Sequence, residues 1–169
     1  MNPCGDRLAD VLPDRLEVGE FLLLSADAES GDDGDALDLE SAALGEADPA
    51  AELARLRTRR FVRGWQRSFD TADHCVLYAA VFVFTSTRDA VLSCEDHAHS
   101  LVAAGAHRRG QLLVVERPSE RAVVWVGSVG ASELLVQLVG PGAANEPVDD
   151  LAARARARLS AMASNRGSS

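Results

Sequence analysis

Lysine and isoleucine do not occur in the 169 residues, so all 17 cationic side chains are arginine. Both missing amino acids have AT-rich codons, and their absence points to a GC-rich genome of the actinobacterial kind. Codon pressure therefore accounts for the arginines, which cannot be read as chosen for their bidentate grip on phosphate or carboxylate. Cysteine is scarce as well: the three residues Cys4, Cys75 and Cys94 are too few, and odd in number, for a disulfide framework. Cys75 and Cys94 can pair in an oxidising compartment, leaving Cys4 over. No apolar run approaches the roughly 18–20 residues that a membrane-crossing helix needs. Collagen-like, mucin-like and fully disordered chains are excluded by a composition that is 47% hydrophobic and 25% charged.

What is present is unevenly charged. Residues 1–54 hold 15 acids against two arginines, a local net of −13, whereas residues 55–169 hold 11 acids against 15 arginines, a net of +4. Such asymmetry can mark contact with nucleic acid or membrane. The simpler expectation is an acidic front that solvates, is partly disordered, or folds against a basic helix of its own chain.

Along the chain, Phe21-Leu22-Leu23-Leu24 reads as a short strand, and residues 27–35 as an exposed acidic loop. Asp48-Pro49 opens a helix expected to run over 49–69, with Asp48 at the N-cap and Pro49 at the first helical position. On its wheel Leu53, Phe61, Val62, Trp65 and Phe69 share one half, while Arg59, Arg60, Arg63 and Arg67 take the other. Residues 75–84 are apolar at successive positions, as in a strand covered on both sides or central in a sheet. Ser86 or Thr87 caps the next helix, which Gly105 ends. Strands follow at 112–116, 122–126 and 134–139, and Pro147 begins a last helix. Sequential strands with short connections predict an α+β fold: a mainly antiparallel sheet of about four to five strands with helices packed on one face. The division expected is an acidic, partly disordered segment with one possible strand at 1–48, an α+β domain at 49–163 and a disordered tail at 164–169.

The candidate chemistry is thin. Cys94 and His97 lie one helical turn apart and can meet one metal ion if His74 joins them, yet no spacing matches a known zinc motif. Cys94 also fits the core stripe as a small hydrophobe. An EF-hand template laid on Glu29–Glu40 fails at its first, third and ninth positions. Gly127-Ser128-Val129-Gly130 is neither a nucleophile elbow nor a phosphate loop, because a strand follows it. Nucleic acid is disfavoured by the net charge of −9. The arginine face Arg59, Arg60, Arg63 and Arg67 is left as a candidate partner-binding surface. Trp65, Phe82, Phe84 and Trp125 are left as candidate lining of an apolar groove between helix and sheet.

Arg60-Phe61-Val62-Arg63-Gly64-Trp65, Val81-Phe82-Val83-Phe84 and the helix start Phe84-Thr85-Ser86-Thr87-Arg88-Asp89-Ala90 together carry a resemblance over residues 50–160. The pattern resembles small extracytoplasmic domains of actinobacterial lipoproteins and receptor-kinase sensor domains. That resemblance implies sensing or partner binding without catalysis, and it transfers no site residue. The expectation is thus a non-enzymatic binding or sensing module, without cofactor, for a protein partner or an apolar small molecule. The alternatives are a metal-binding protein using Cys94, His97 and His74, and a structural homodimer. As the sequence stands the expected location is cytoplasmic. Were the gene to start upstream of Met1, lipidation of Cys4 in Asn2-Pro3-Cys4-Gly5 would make an extracytoplasmic lipoprotein.

Overall fold

The structure, a computed structural model, describes residues 6–25, 34–44, 46 and 48–166. Cys4 and the first part of the calcium-loop template therefore lie outside the described residues. In chain order the elements are α1 (Asp6–Ala9), α2 (Arg15–Gly19), β1 (Asp35–Leu37), α3 (Leu39–Leu44), α4 (Pro49–Thr58), β2 (Phe61–Asp70), β3 (Val76–Phe84), α5 (Thr87–Ala103), β4 (His107–Arg109), β5 (Leu112–Arg117), β6 (Glu120–Val129), β7 (Ser132–Gly140) and α6 (Asn145–Arg166).

All strands join one antiparallel sheet of seven, in the order β1-β2-β3-β7-β6-β5-β4. The central strands bury side chains on both faces because successive residues point to opposite sides of a pleated strand. In β3, Leu77, Ala79 and Val81 enter one core, while Ala80, Phe82 and Phe84 enter the other. The first core is closed by α6 through Val148, Leu151, Ala155 and Leu159, and by the N-terminal residues Leu8, Val11, Leu12 and Val18. The second is closed by α3, α4 and α5 through Ala43, Leu56 and Ala90. Two expectations are corrected here: the strands number seven rather than four to five, and helices cover both faces rather than one. The physical reason lies in strands such as 112–115, apolar at every position, which leave no solvent face.

The helix expected over 49–69 stops at Thr58. Arg59 caps it, Arg60 turns the chain at φ 55°, and Phe61 starts β2. Aromatic residues, Val62 and Gly64 are poor helix formers, and the same residues also satisfy a strand alternation. A bulge between Phe61 and Arg63 then shifts the register. Phe61 thereby joins Phe82 and Phe84, at ring-centroid separations of 6.1 and 6.0 Å, while Trp65 and Phe69 go to the opposite face. The helical wheel placed all of them together.

The strand expected at 21–24 is a turn with one isolated bridge, Leu24 to Thr71. It follows α2, which opens with a capping box: Asp14 accepts from the Glu17 N–H at 2.9 Å, and Glu17 accepts from the Asp14 N–H at 3.2 Å. The acids of this region fold against a basic helix, namely α6. Arg158 meets Glu17 at 2.7 Å and donates to the Val11 carbonyl at 3.0 Å, and Arg154 meets Glu20 at 2.7 Å.

Candidate functional site

Helix α5 lies across β3, β7 and β6, and its inner face carries polar residues into the second core. Opposite it, β7 presents Glu133, which has 0% exposure. A carboxylate so placed is very costly unless hydrogen-bonded and paired. Ser93 Oγ donates to Glu133 Oε2, and His97 Nδ1 lies 3.0 Å from Glu133 Oε1. Arg55 of α4 donates through Nη1 to Ser93 Oγ and, at 3.3 Å, to the Ser93 carbonyl. The remaining Arg55 nitrogens grip Glu52 at 2.7 and 2.6 Å. Three elements are thereby tied around one buried carboxylate.

Ser93 and His97 contact different oxygens of Glu133, so the carboxylate stands between hydroxyl and imidazole. A nucleophile activated by histidine needs the direct contact that this arrangement replaces. Its chemistry is that of a clamp holding α5 on the sheet.

Burial works against a charged His97, but the hydrogen bond and charge of Glu133 outweigh it and raise the imidazole above its ordinary 6.5. The folded chain thus binds this proton more tightly than the unfolded chain does. The stabilising contribution is complete below the unfolded value of 6.5 and is lost as pH rises through the raised folded value. Urea unfolding of the native protein should show stability falling as pH rises above 6.5, and His97→Gln should remove that slope. Equal slopes in both proteins would exclude His97 as its source.

The metal set expected from Cys94, His97 and His74 is not assembled. His97 Nδ1 is engaged by Glu133, and His74 is exposed in the β2–β3 turn at φ 64°. Among the described residues no group of three or more His, Cys, Asp or Glu is placed to hold a metal ion. Cys94 is half-buried, and burial first, then the charge of Glu133, pushes its thiol up, away from thiolate chemistry. Nor do Cys75 and Cys94 pair. Cys75 belongs to the α6-side core and Cys94 to the helix on the other face, and both are free thiols.

Of the four arginines expected to meet a partner, Arg59 forms a two-pronged pair with Asp96 at 2.6 and 3.0 Å, and Arg60 pairs with Asp89. Asp89 also accepts from Ser86; that hydroxyl first, and the Arg60 guanidinium next, hold its carboxyl below the usual range. Arg67 donates to the Leu12 and Pro13 carbonyls, both at 3.2 Å, and Arg63 is half-buried on β2. These contacts fasten α4 to α5 and the N-terminal turn to the sheet. The four aromatics expected to line one groove are divided by the sheet: Phe82 and Phe84 face α5, whereas Trp65 and Trp125 face α6.

The groove that does exist was missed in the sequence. It lies between α5 and the β4–β6 end of the sheet, with a volume of about 430 Å³. Cys94, Ala98 and Val102 form one wall, and Leu113 and Val126 the other. Glu95, His99, Arg108 and Gln111 complete its lining. It is open because α5 crosses the middle of the sheet, while the β4–β5 hairpin extends beyond it. Val102 is left 50% exposed on the helix wall. Five apolar or thiol side chains and four polar ones thus line a groove of the size that small-molecule sites have.

No family model matches the chain, and no curated protein matches it. Among the described residues no helix is long and apolar enough to cross a membrane. Among solved structures the chain is similar to the extracellular domain of PknH from Mycobacterium tuberculosis, with a TM-score of 0.60 and 11% identity over 92% of this chain and 95% of that one. The resemblance read from residues 50–160 to receptor-kinase sensor domains is met at the level of the fold.

Proposed function

We propose that this protein is a non-enzymatic binding or sensing module, and that the groove between α5 and strands β4–β6 receives an apolar small molecule or an apolar side chain of a protein partner. The observation that carries this reading is the 430 Å³ groove itself, with Ala98, Val102, Leu113 and Val126 along it. The likeness to an extracellular domain supports it, since that domain has the same fold. The central polar groups support it too, because Ser93 and His97 spend their hydrogen bonds on Glu133 while Arg55 donates to Ser93, and together they hold the groove's helix wall in place.

Nuclear magnetic resonance with a small-fragment collection tests the proposal. Shifts are expected to cluster on Cys94, Ala98, Val102, Leu113 and Val126, and Ala98→Trp should abolish them by filling the groove. Fragment-induced shifts that avoid these residues, or that persist unchanged in Ala98→Trp, would overturn it.

A further inference from the structure

Strand β6 runs on to Val129, but the last residue pair with β5 at this end is Leu113 with Val124. The end of β6 therefore has β7 on one side and no strand on the other among the described residues. A second cavity of about 380 Å³ opens in that notch, on the α6 side. Arg108 and Gln111 from the β4–β5 hairpin, Trp125 and Ser128 from β6, and Arg156 from α6 line it. Arg108, Gln111 and Val126 also line the α5 groove, so the two cavities adjoin around the end of β5.

Two arginines, both exposed, line this notch. Eight arginines of the described residues hold carboxylates of the same chain. Arg108 and Arg156 do not, although the chain has 26 acids to 17 cations. They come from different elements, line one cavity and make no ion pair or hydrogen bond among the described residues. Guanidinium groups in a polar cavity, beside the Ser128 hydroxyl and the Gln111 amide, suit an oxyanion, which they bind by charge-assisted hydrogen bonds. Trp125 forms part of the cavity wall, and Gly127 leaves room for it, since a β-carbon there would stand 2.6 Å from the indole. Glu95 lines the α5 groove alone and repels an anion from that side.

We infer that the ligand is a small amphiphile whose oxyanion, phosphate or carboxylate, sits between Arg108 and Arg156 while its apolar body lies in the α5 groove. This rests on the groove reading above and names the chemistry of its ligand. The test titrates hexyl phosphate, hexanoate and hexanol into the native protein and follows the indole N–H resonance of Trp125 and the amide of Ala98. Hexyl phosphate is expected to bind at least about tenfold more tightly than hexanol, the gain of a charged hydrogen bond. Added salt should reduce that gain, and Arg108→Gln or Arg156→Gln should each remove most of it with hexanol binding unchanged. Hexanoate matching hexyl phosphate would identify a carboxylate-accepting site, and hexanoate matching hexanol a phosphate-selective one; both sustain the inference. Hexanol binding with no anionic gain, or a gain that survives both substitutions, overturns the anion site and leaves the groove standing. Binding of hexyl phosphate that depends on both arginines but leaves Ala98 unmoved sustains the anion site and overturns the groove. No binding by any of the three overturns both.

Discussion

Glu133→Ala is expected to lower stability by about 3 kcal/mol, a fall in Tm of roughly 6–12 °C for a chain of this size. The loss comes less from the carboxylate than from what it abandons. Ser93 Oγ and His97 Nδ1 are directed at its two oxygens, with Ser93 and Glu133 fully buried and His97 largely so. Arg55 keeps Glu52 but loses the ordering of its Ser93 contact. The triple variant Glu133→Leu, Ser93→Ala, His97→Leu removes the buried carboxylate with both of its partners and leaves Arg55 on Glu52 and the Ser93 carbonyl, so it should recover most of the loss. Calorimetry or urea unfolding of the single and triple variants decides the matter. A single variant within about 1 kcal/mol of the native protein, or a triple variant worse than the single one, would show that the cluster is not a closed hydrogen-bonded unit.

Gly140→Ala should cost about as much for a steric reason. Gly140 closes β7 opposite Arg121, beside the start of β3. A β-carbon there would stand 2.5 Å from Cys75 Sγ and 2.6 Å from Cys75 Cα. The sulfur could swing aside, but the Cα cannot. Cys75 is held through both backbone groups by Thr71, whose N–H donates to the Cys75 carbonyl at 2.9 Å and whose Oγ1 accepts from the Cys75 N–H at 2.9 Å. Trimming the sulfur should therefore not rescue the variant, and Cys75→Ala with Gly140→Ala should remain destabilised. Gly142→Ala, where a β-carbon meets nothing within 4 Å, serves as the neutral control. A urea midpoint that falls no further in Gly140→Ala than in Gly142→Ala would refute the steric account, because the loss of glycine's unfolded-state entropy by itself raises the midpoint.

The elements legible in the chain are those whose neighbours write the same instruction more than once. β3 is apolar at nearly every position, α5 begins at a capping serine, and Ser86 does accept from the Asp89 N–H at 3.1 Å. Strands β5, β6 and β7 are each long enough to carry a pattern between turns. β1 and β4, three residues each, are too short to hold any period and exist only by pairing with β2 and β5. β2 misled for a different reason. Residues 61–69 satisfy a helical wheel and a strand alternation together, and the choice was made by pairing with β3 over nine residue pairs.

The candidate site divides in the same way. Glu133 is visible as a charge at the head of an apolar run, but its meaning depends on Ser93 and His97, 40 and 36 residues away. Arg59 and Arg60 were legible as a basic stretch; that Asp96 and Asp89 would receive them was not. The amino-acid sequence alone settled a globular α+β chain, an antiparallel central sheet, a capped helix after its longest apolar strand, and a resemblance to sensor domains, because hydrophobic period and turn chemistry are local. Which face each aromatic occupies, which arginines are paired, and where a groove stays open depended on the three-dimensional arrangement. Those are contacts between segments distant in the chain, and a single bulge at Phe61 or the end of one strand at Leu112 is enough to redirect them.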